Sequence, residues 1–429
     1  MSNTDPSPPR FPGRNKVNTV RRSLKINIVA IYVMGFFHSF VLVVPVFVPL
    51  VQDYGLSMAQ VLQTQALYAL TIACFEVPSG YIADIWGRKR AILVGSAFNG
   101  VGFLSLLWAD SFADFLVYEF MLGVGVSLIS GADLALLYDS EKSLEDTGGA
   151  AGASRSLSRL ISVEAGASGV AGLGAGLLLW LGDMRLLISL QAICGFIPLA
   201  LGLLLVEAPR PHLTQGHGGN ARMIANMLVR GKPVVLWTAM AIASFGLLAL
   251  YVFWIYQKHW ELNGVPVEAF GYIWAIFALT VSLSARYAGH LEAWLGWRRL
   301  LIITALLPIM GLLGMAVFGG WAGVLCGFAI QISRGISLTV FFDALNRRID
   351  GDFRATLNSL VSLGTRSLFI VSGPMLGWAL DTQGVNQTLM VLALLFAPLF
   401  VAIIWGLGRR IEREERETLI GTTQLTPAA

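Results

Sequence analysis

Twelve stretches of the chain are apolar for about twenty residues each, near 27–51, 60–83, 91–109, 115–138, 160–182, 186–206, 234–256, 269–291, 300–319, 322–345, 356–380 and 385–408. A helix needs about 20 such residues to cross a hydrocarbon core of roughly 30 Å. The runs are too long and too uniform for the roughly ten-residue alternating strands of an outer-membrane barrel. Only 13% of the residues are charged, against about 25% in a typical soluble domain. The expectation is an all-α polytopic membrane protein of twelve transmembrane helices. No cleavable leader is expected, because residues 1–15 are polar and proline-rich and the first apolar run exceeds a leader's core.

The basic residues orient the spans. The ends of the chain and the loops after even-numbered spans hold 24 of the 30 Lys and Arg; the opposite loops hold two, Arg185 and Lys258. The positive-inside rule then puts both termini in the cytoplasm, with the cell inner membrane as location. The net charge of +4 reads as a topology signal, with no nucleic-acid partner. Cys74, Cys194 and Cys326 fall within separate spans, so core packing is expected rather than a disulfide or metal site. His212 and His217 stand in the one long polar loop and read as part of a solvated linker.

That loop divides the chain. The expected parts are a tail over 1–22, a six-helix bundle over 23–206, a linker over 207–232, a second bundle over 233–409 and a tail over 410–429. The bundles resemble each other. Gly80 and Gly87 match Gly289 and Gly296 at a shift of 209 residues, Gly55 matches Gly264 at the same shift, and Asp133 stands 210 residues before Asp343. An even number of spans in each bundle gives both the same orientation, which makes them parallel repeats about an axis along the membrane normal.

Charges inside the spans are costly unless they face water or a partner. Spans 3, 6, 9 and 12 carry none, whereas Glu76, Glu119, Asp133, Arg159, Glu164, Arg286, Arg334, Asp343 and Arg366 lie on the others, with His38 on span 1. The charged helices should therefore enclose a polar cavity between the bundles. The acids Glu76, Glu119, Asp133 and Glu164 belong to the first bundle and the arginines mostly to the second. On a continuous fourth helix, Glu119 and Asp133 would share one face within about 40°, roughly 21 Å apart. Carboxylates withdrawn from water hold protons more readily, so these acids and His38 are the candidate proton carriers. Arg334 and Arg366 are candidate anchors, since a guanidinium grips a carboxylate or phosphate through two nitrogens. For each charge the competing reading is an interhelical ion pair. The aromatic stretch Tyr251–Gln257 offers Trp254, Tyr256 and Gln257 to an amphipathic ligand.

The segment GYIADIWGRKR between spans 2 and 3 resembles the signature loop of the major facilitator superfamily, G-x-x-x-D-x-x-G-R-K/R, with Gly80, Asp84, Gly87, Arg88 and Lys89 at its key positions. The resemblance extends over about residues 20–410. Gly87 would permit a tight reversal and Gly80 a close helix approach. The family fold implies that Asp84 meets the start of span 11 around 354–356, that Arg88 pairs with Asp139, and that this network latches the outward-facing state. Ala293 stands where a second Asp84 would be, so only the first bundle should carry the full latch. Two features depart from the drug–proton antiporter pattern: YEFMLGVG has Glu119 where an arginine is usual, and span 5 reads GASGVAGLGAG without the usual proline.

The resemblance implies a secondary active transporter working by alternating access, as a monomer in the bilayer. Its cargo would be a small anionic or zwitterionic metabolite, siderophore-like and antibiotic-like compounds included, moved by proton-coupled efflux; the alternative is nutrient uptake by proton symport. A transport-dead sensor is a more distant reading. The chain shows no P-loop, no H-E-x-x-H and no paired catalytic histidines, so neither an enzyme nor a cofactor is expected.

Overall fold

The computed structural model describes residues 14–146, 156–208, 233–349 and 351–424. They form α1 (Arg14–Ser39), α2 (Phe47–Asp53), α3 (Met58–Trp86), α4 (Arg88–Ser105), α5 (Phe112–Ile129), α6 (Ala132–Asp146), α7 (Ser156–Leu181) and α8 (Met184–Leu204). These are followed by α9 (Pro233–Leu262), α10 (Val267–Leu295), α11 (Trp297–Val317), α12 (Gly320–Asn346), α13 (Gly351–Gln383) and α14 (Val385–Gln424). Among the described residues, ten segments are long and apolar enough to cross a membrane, and α3, bent by 49° between Glu76 and Pro78, makes an eleventh. The chain is an α-helical polytopic membrane protein. The expected third span coincides with α4, whose 18 residues open on Arg88, Lys89 and Arg90.

Two expected spans are not single helices. The first breaks between Ser39 and Phe47, where only a 3-10 turn (Val44–Val46) intervenes. Pro45 cannot donate an amide, and a broken backbone at membrane depth must find partners inside the protein. Two buried glutamines supply them. Gln191 accepts from the Leu42 amide at 2.6 Å. Gln257 accepts from the Val48 amide at 2.8 Å and donates to the Val44 carbonyl at 2.9 Å.

The fourth span divides at Ser130–Gly131, where Ser130 turns extended and Gly131 takes φ +86°. Counting 100° per residue across that break has no meaning. The expected common face for Glu119 and Asp133 therefore has no single helix to carry it: Glu119 lies within α5 and Asp133 in the first turn of α6.

The expected boundaries shift at both ends of the chain. Helix α1 starts at Arg14, inside the expected tail, and α14 continues through Gln424, well past 409. The expected linker lies almost wholly outside the described residues. Cys74 is exposed rather than in the core.

Helices α1–α8 pack as one group and α9–α14 as another, joined chiefly by α3 against α13 and α7 against α10. The tightest contacts of both joints lie at the end of the bundle remote from the termini. There Gly172 and Gly176 of α7 lie against Gly271 and Tyr272 of α10, with no room for a Cβ. Gly377 of α13 is equally tight against Met58 and Ala59. The Asp381 carboxylate accepts from the Met58 and Ala59 amides at 2.9 and 2.8 Å, satisfying donors that the first turn of α3 leaves open. Small residues allow such backbone approach in a membrane, where no water drives the helices together.

Candidate transport cavity and the comparisons

On the termini side of these joints lies a cavity of about 560 Å3 between the two helix groups. Gln65, Tyr68 and Ile72 of α3 and Val126 of α5 line it from one group. Trp254, Arg334 and Arg366, with a wall of phenylalanines, line it from the other. Arg334 lines the cavity; its side chain makes no hydrogen bond or ion pair among the described residues, and the buried Tyr256 is within electrostatic reach of it. Arg366 differs: its guanidinium lies 3.4 Å from the Glu76 carboxylate across the joint between α13 and α3. One expected anchor is thus uncommitted, and the other pairs with an expected proton carrier.

A second chamber of about 250 Å3 opens within the first group, lined by His38, Gln65, Tyr68, Asn99, Tyr118 and Glu119, among others. Gln65, Tyr68, Val126, Phe253 and Trp254 line both chambers. Glu119 is 4% exposed and Gln65 is 6% exposed, and the Gln65 amide donates to the Glu119 carboxylate at 2.5 Å. Two polar atoms of this chamber, His38 Nε2 and Asn99 Oδ1, are buried without a hydrogen-bond partner among the described residues. Gln65 is the residue that sequence reasoning missed. Its only signal was one amide among the polar residues Gln60, Gln63, Thr64 and Glu76 of the second span, and nothing in the sequence shows which of these glutamines faces a carboxylate.

The remaining expected site residues lie elsewhere. Tyr256 is 1% exposed and donates to the Gly327 carbonyl at 3.2 Å, and Gln257 is spent on the broken first span. Neither lines either of these two chambers, where both were expected to touch a ligand. They sit one turn or less from Trp254, but their position on α9 points them into the protein. Asp133 and Glu164 are within electrostatic reach of each other, and Glu164 packs near Gly35 of α1. These two acids line neither chamber, and Arg286 is exposed away from both. The intramembrane charges therefore do not all converge on one space, as the sequence suggested.

The signature loop is built from backbone geometry first. Gly87 takes φ +103°, ψ 144°, a region essentially confined to glycine. The reversal exposes the first amides of α4, and Glu207 caps them, accepting from Arg88 N at 2.9 Å and Lys89 N at 3.1 Å. Arg88 donates to the Asp139 carboxylate and, at 2.7 Å, to the Ala135 carbonyl. The Lys89 ammonium donates to the Leu203 carbonyl at 3.1 Å. Among the described residues, no atom of another helix lies within 4 Å of where a Cβ at Gly80 would stand. Asp84 is exposed; its expected partners around 354–356 have side chains outside those described.

A helical membrane protein whose two helix groups close at one end over a cavity bearing an uncommitted charge has the build of a solute carrier, not of an enzyme. The family can now be stated. Residues 28–374 match the model of the Major Facilitator Superfamily, and the chain belongs to that family of secondary transporters. Solved structures agree on the fold. The nucleoside transporter NupG superposes with a TM-score of 0.68 at 13% identity, covering 91% of this chain and 99% of that one. A bacterial homologue of the human lysosomal transporter Spinster, inward-facing and unoccupied, gives 0.69 at 15% identity, covering 94% and 99%. A D-xylose–proton symporter gives 0.66 at 15%, covering 87% and 97%.

Proposed function

We propose that the chain takes up a small organic anion or zwitterion across the cell inner membrane by proton symport, using twelve spans arranged as two six-span repeats. In this reading α4 is the twelfth crossing. The bundles are those expected over 23–206 and 233–409, the termini are cytoplasmic, and the monomer is the working unit. The observation that carries the reading is the cavity between the groups, with an unpaired Arg334 guanidinium in its wall and the joints on its far side closed. With the termini inside, those closed joints face outward and the conformation is inward-facing. Uptake replaces the efflux favoured from sequence for two reasons. The antiporter features are missing at Glu119 and in span 5, and the similar structures include a D-xylose–proton symporter.

Residue roles follow the geometry. Arg334 anchors the cargo's anionic group. Glu119, buried beside the cavity, carries the proton, and Gln65 touches both sides of that exchange. The Glu76–Arg366 pair ties the bundles together, and protonation of Glu76 or an anion at Arg366 would loosen it. Asp84, Gly87, Arg88, Lys89 and Asp139 form the cytoplasmic gate. Asp133, Glu164 and His38 remain candidates for a later proton step.

The test is uptake of radiolabelled monocarboxylates and amino acids by cells carrying the chain. Accumulation should require an acidic exterior, collapse with a protonophore, and disappear in Glu119→Gln while cargo exchange persists. Accumulation driven instead by an acidic interior would establish antiport and return the efflux reading.

A further inference from the structure

The wall of the central cavity narrows the cargo to one chemical class, an inference that rests on the anion-carrying reading above. Two arginines face the cavity, but Glu76 offsets Arg366 at 3.4 Å, which leaves Arg334 as one unbalanced positive charge. A single negative charge balances it; a dicarboxylate or a doubly charged phosphate would leave an uncompensated anion in a site of low dielectric, which is costly. The polar groups around it are few and largely engaged. Gln65 is committed to Glu119 at 2.5 Å. The Thr365 hydroxyl donates to the Val361 carbonyl at 3.0 Å, and the Ser337 hydroxyl to the Arg334 carbonyl at 3.0 Å. Tyr68 and Ser362 are the hydroxyls left over for a ligand. The rest of the wall is apolar, with Phe245, Phe253, Phe341, Phe342 and Phe369 prominent.

A sugar or nucleoside needs a partner for each hydroxyl it brings out of water, and every unmatched one is penalised. This wall, with most of its hydroxyl donors already used, supplies few such partners. An aromatic body is matched by the phenylalanines, which favour edge-to-face and offset contacts with another ring. The volume of about 560 Å3 lies in the range of pockets that hold drug-sized ligands. We infer that the cargo is an apolar monocarboxylate, a single carboxylate on an aromatic or branched hydrocarbon body, with the carboxylate on Arg334 and the body among the phenylalanines.

The experiment measures binding to the purified full chain in detergent, by thermal stabilisation and by quenching of tryptophan fluorescence, since Trp254 lines the cavity. The probes are 4-phenylbutyrate, its neutral isostere 4-phenylbutyramide, gluconate, D-xylose and uridine. Phenylbutyrate should bind at least about tenfold more tightly than the amide, the usual effect of a hydrogen bond to a charged group; the polyhydroxylated probes should bind more weakly than either. Arg334→Gln should bring acid and amide to equal affinity. Arg334→Lys, which keeps the charge and loses the two-pronged grip, should fall between. Phe342→Ala, at a half-buried ring of the cavity wall, should weaken acid and amide alike. Equal binding of acid and amide to the unaltered protein overturns the inference, as does tighter binding of gluconate, xylose or uridine, or no binding of phenylbutyrate. The two readings fail separately. Proton-driven, Arg334-dependent uptake of gluconate would overturn only the apolar class. Phenylbutyrate binding that is lost in Arg334→Gln, in a protein whose uptake ignores the pH gradient, would overturn only proton symport.

Discussion

The chain reverses between α3 and α4 at Gly87, and again between α10 and α11 at Gly296, 209 residues later. Both glycines take positive φ, +103° and +78°, with ψ near 150°. The backbone is therefore repeated, but the side-chain wiring is not. At the first turn Glu207 caps two amides of α4, and Arg88 binds Asp139 with both side chains about seven-eighths buried. At the second, Arg298 reaches Glu412 of α14 at 2.9 Å, with 65% and 34% of the two side chains exposed. The first turn is held by its own bundle through a largely buried ion pair and an exposed carboxylate cap. The second is held by a helix extension through a solvated pair. The two turns share what the backbone demands, a glycine at each reversal, and differ in the charges around it.

Breaking the buried pair should have the largest effect. Asp139→Ala leaves the Arg88 guanidinium without its acid, and loss of one partner of a buried pair costs about 3 kcal/mol; a fall in the thermal midpoint of the purified protein checks this. Next come the glycines. A side chain in this backbone region is strained by about 1–3 kcal/mol, so both Gly87→Ala and Gly296→Ala should destabilise. Gly87→Ala should cost more, because a Cβ there would meet the Glu207 carboxylate at 3.1 Å while none is met at Gly296. Equal losses in denaturant titrations would show that the backbone alone sets the cost. Glu207→Gln keeps the shape of the cap and removes its charge, for a smaller loss of about 1 kcal/mol. Smallest is Glu412→Gln, within about 0.5 kcal/mol, as for other exposed pairs. A loss there as large as at Asp139 would erase the contrast between the turns.

The joints between the helix groups show a different limit of legibility. The glycines of span 5 were readable as small-residue packing, yet their partner, Gly271 on α10, could not be read from a one-dimensional pattern. Asp381 drew no attention in the sequence, although its carboxylate caps α3 from 322 residues away. Gln191 and Gln257 illustrate the same point. A glutamine next to aromatic residues looked like a ligand contact, and it proved to be a patch for backbone broken at Pro45. The break itself was legible in principle from the prolines at 45 and 49, but hydropathy averages over such residues.

Hydropathy and the glycine spacing determined by themselves that this chain is a helical membrane protein and where two of its turns fall. These follow from the cost of an unpaired peptide group in lipid and from the conformations only glycine can adopt, both local properties. Which charge meets which was decided by tertiary structure alone. Arg334 and Arg366 are the same residue type on neighbouring spans, but only packing brings Glu76 to one and leaves the other to the cavity. Electrostatic partnership depends on distance in space, and a sequence records only distance along the chain.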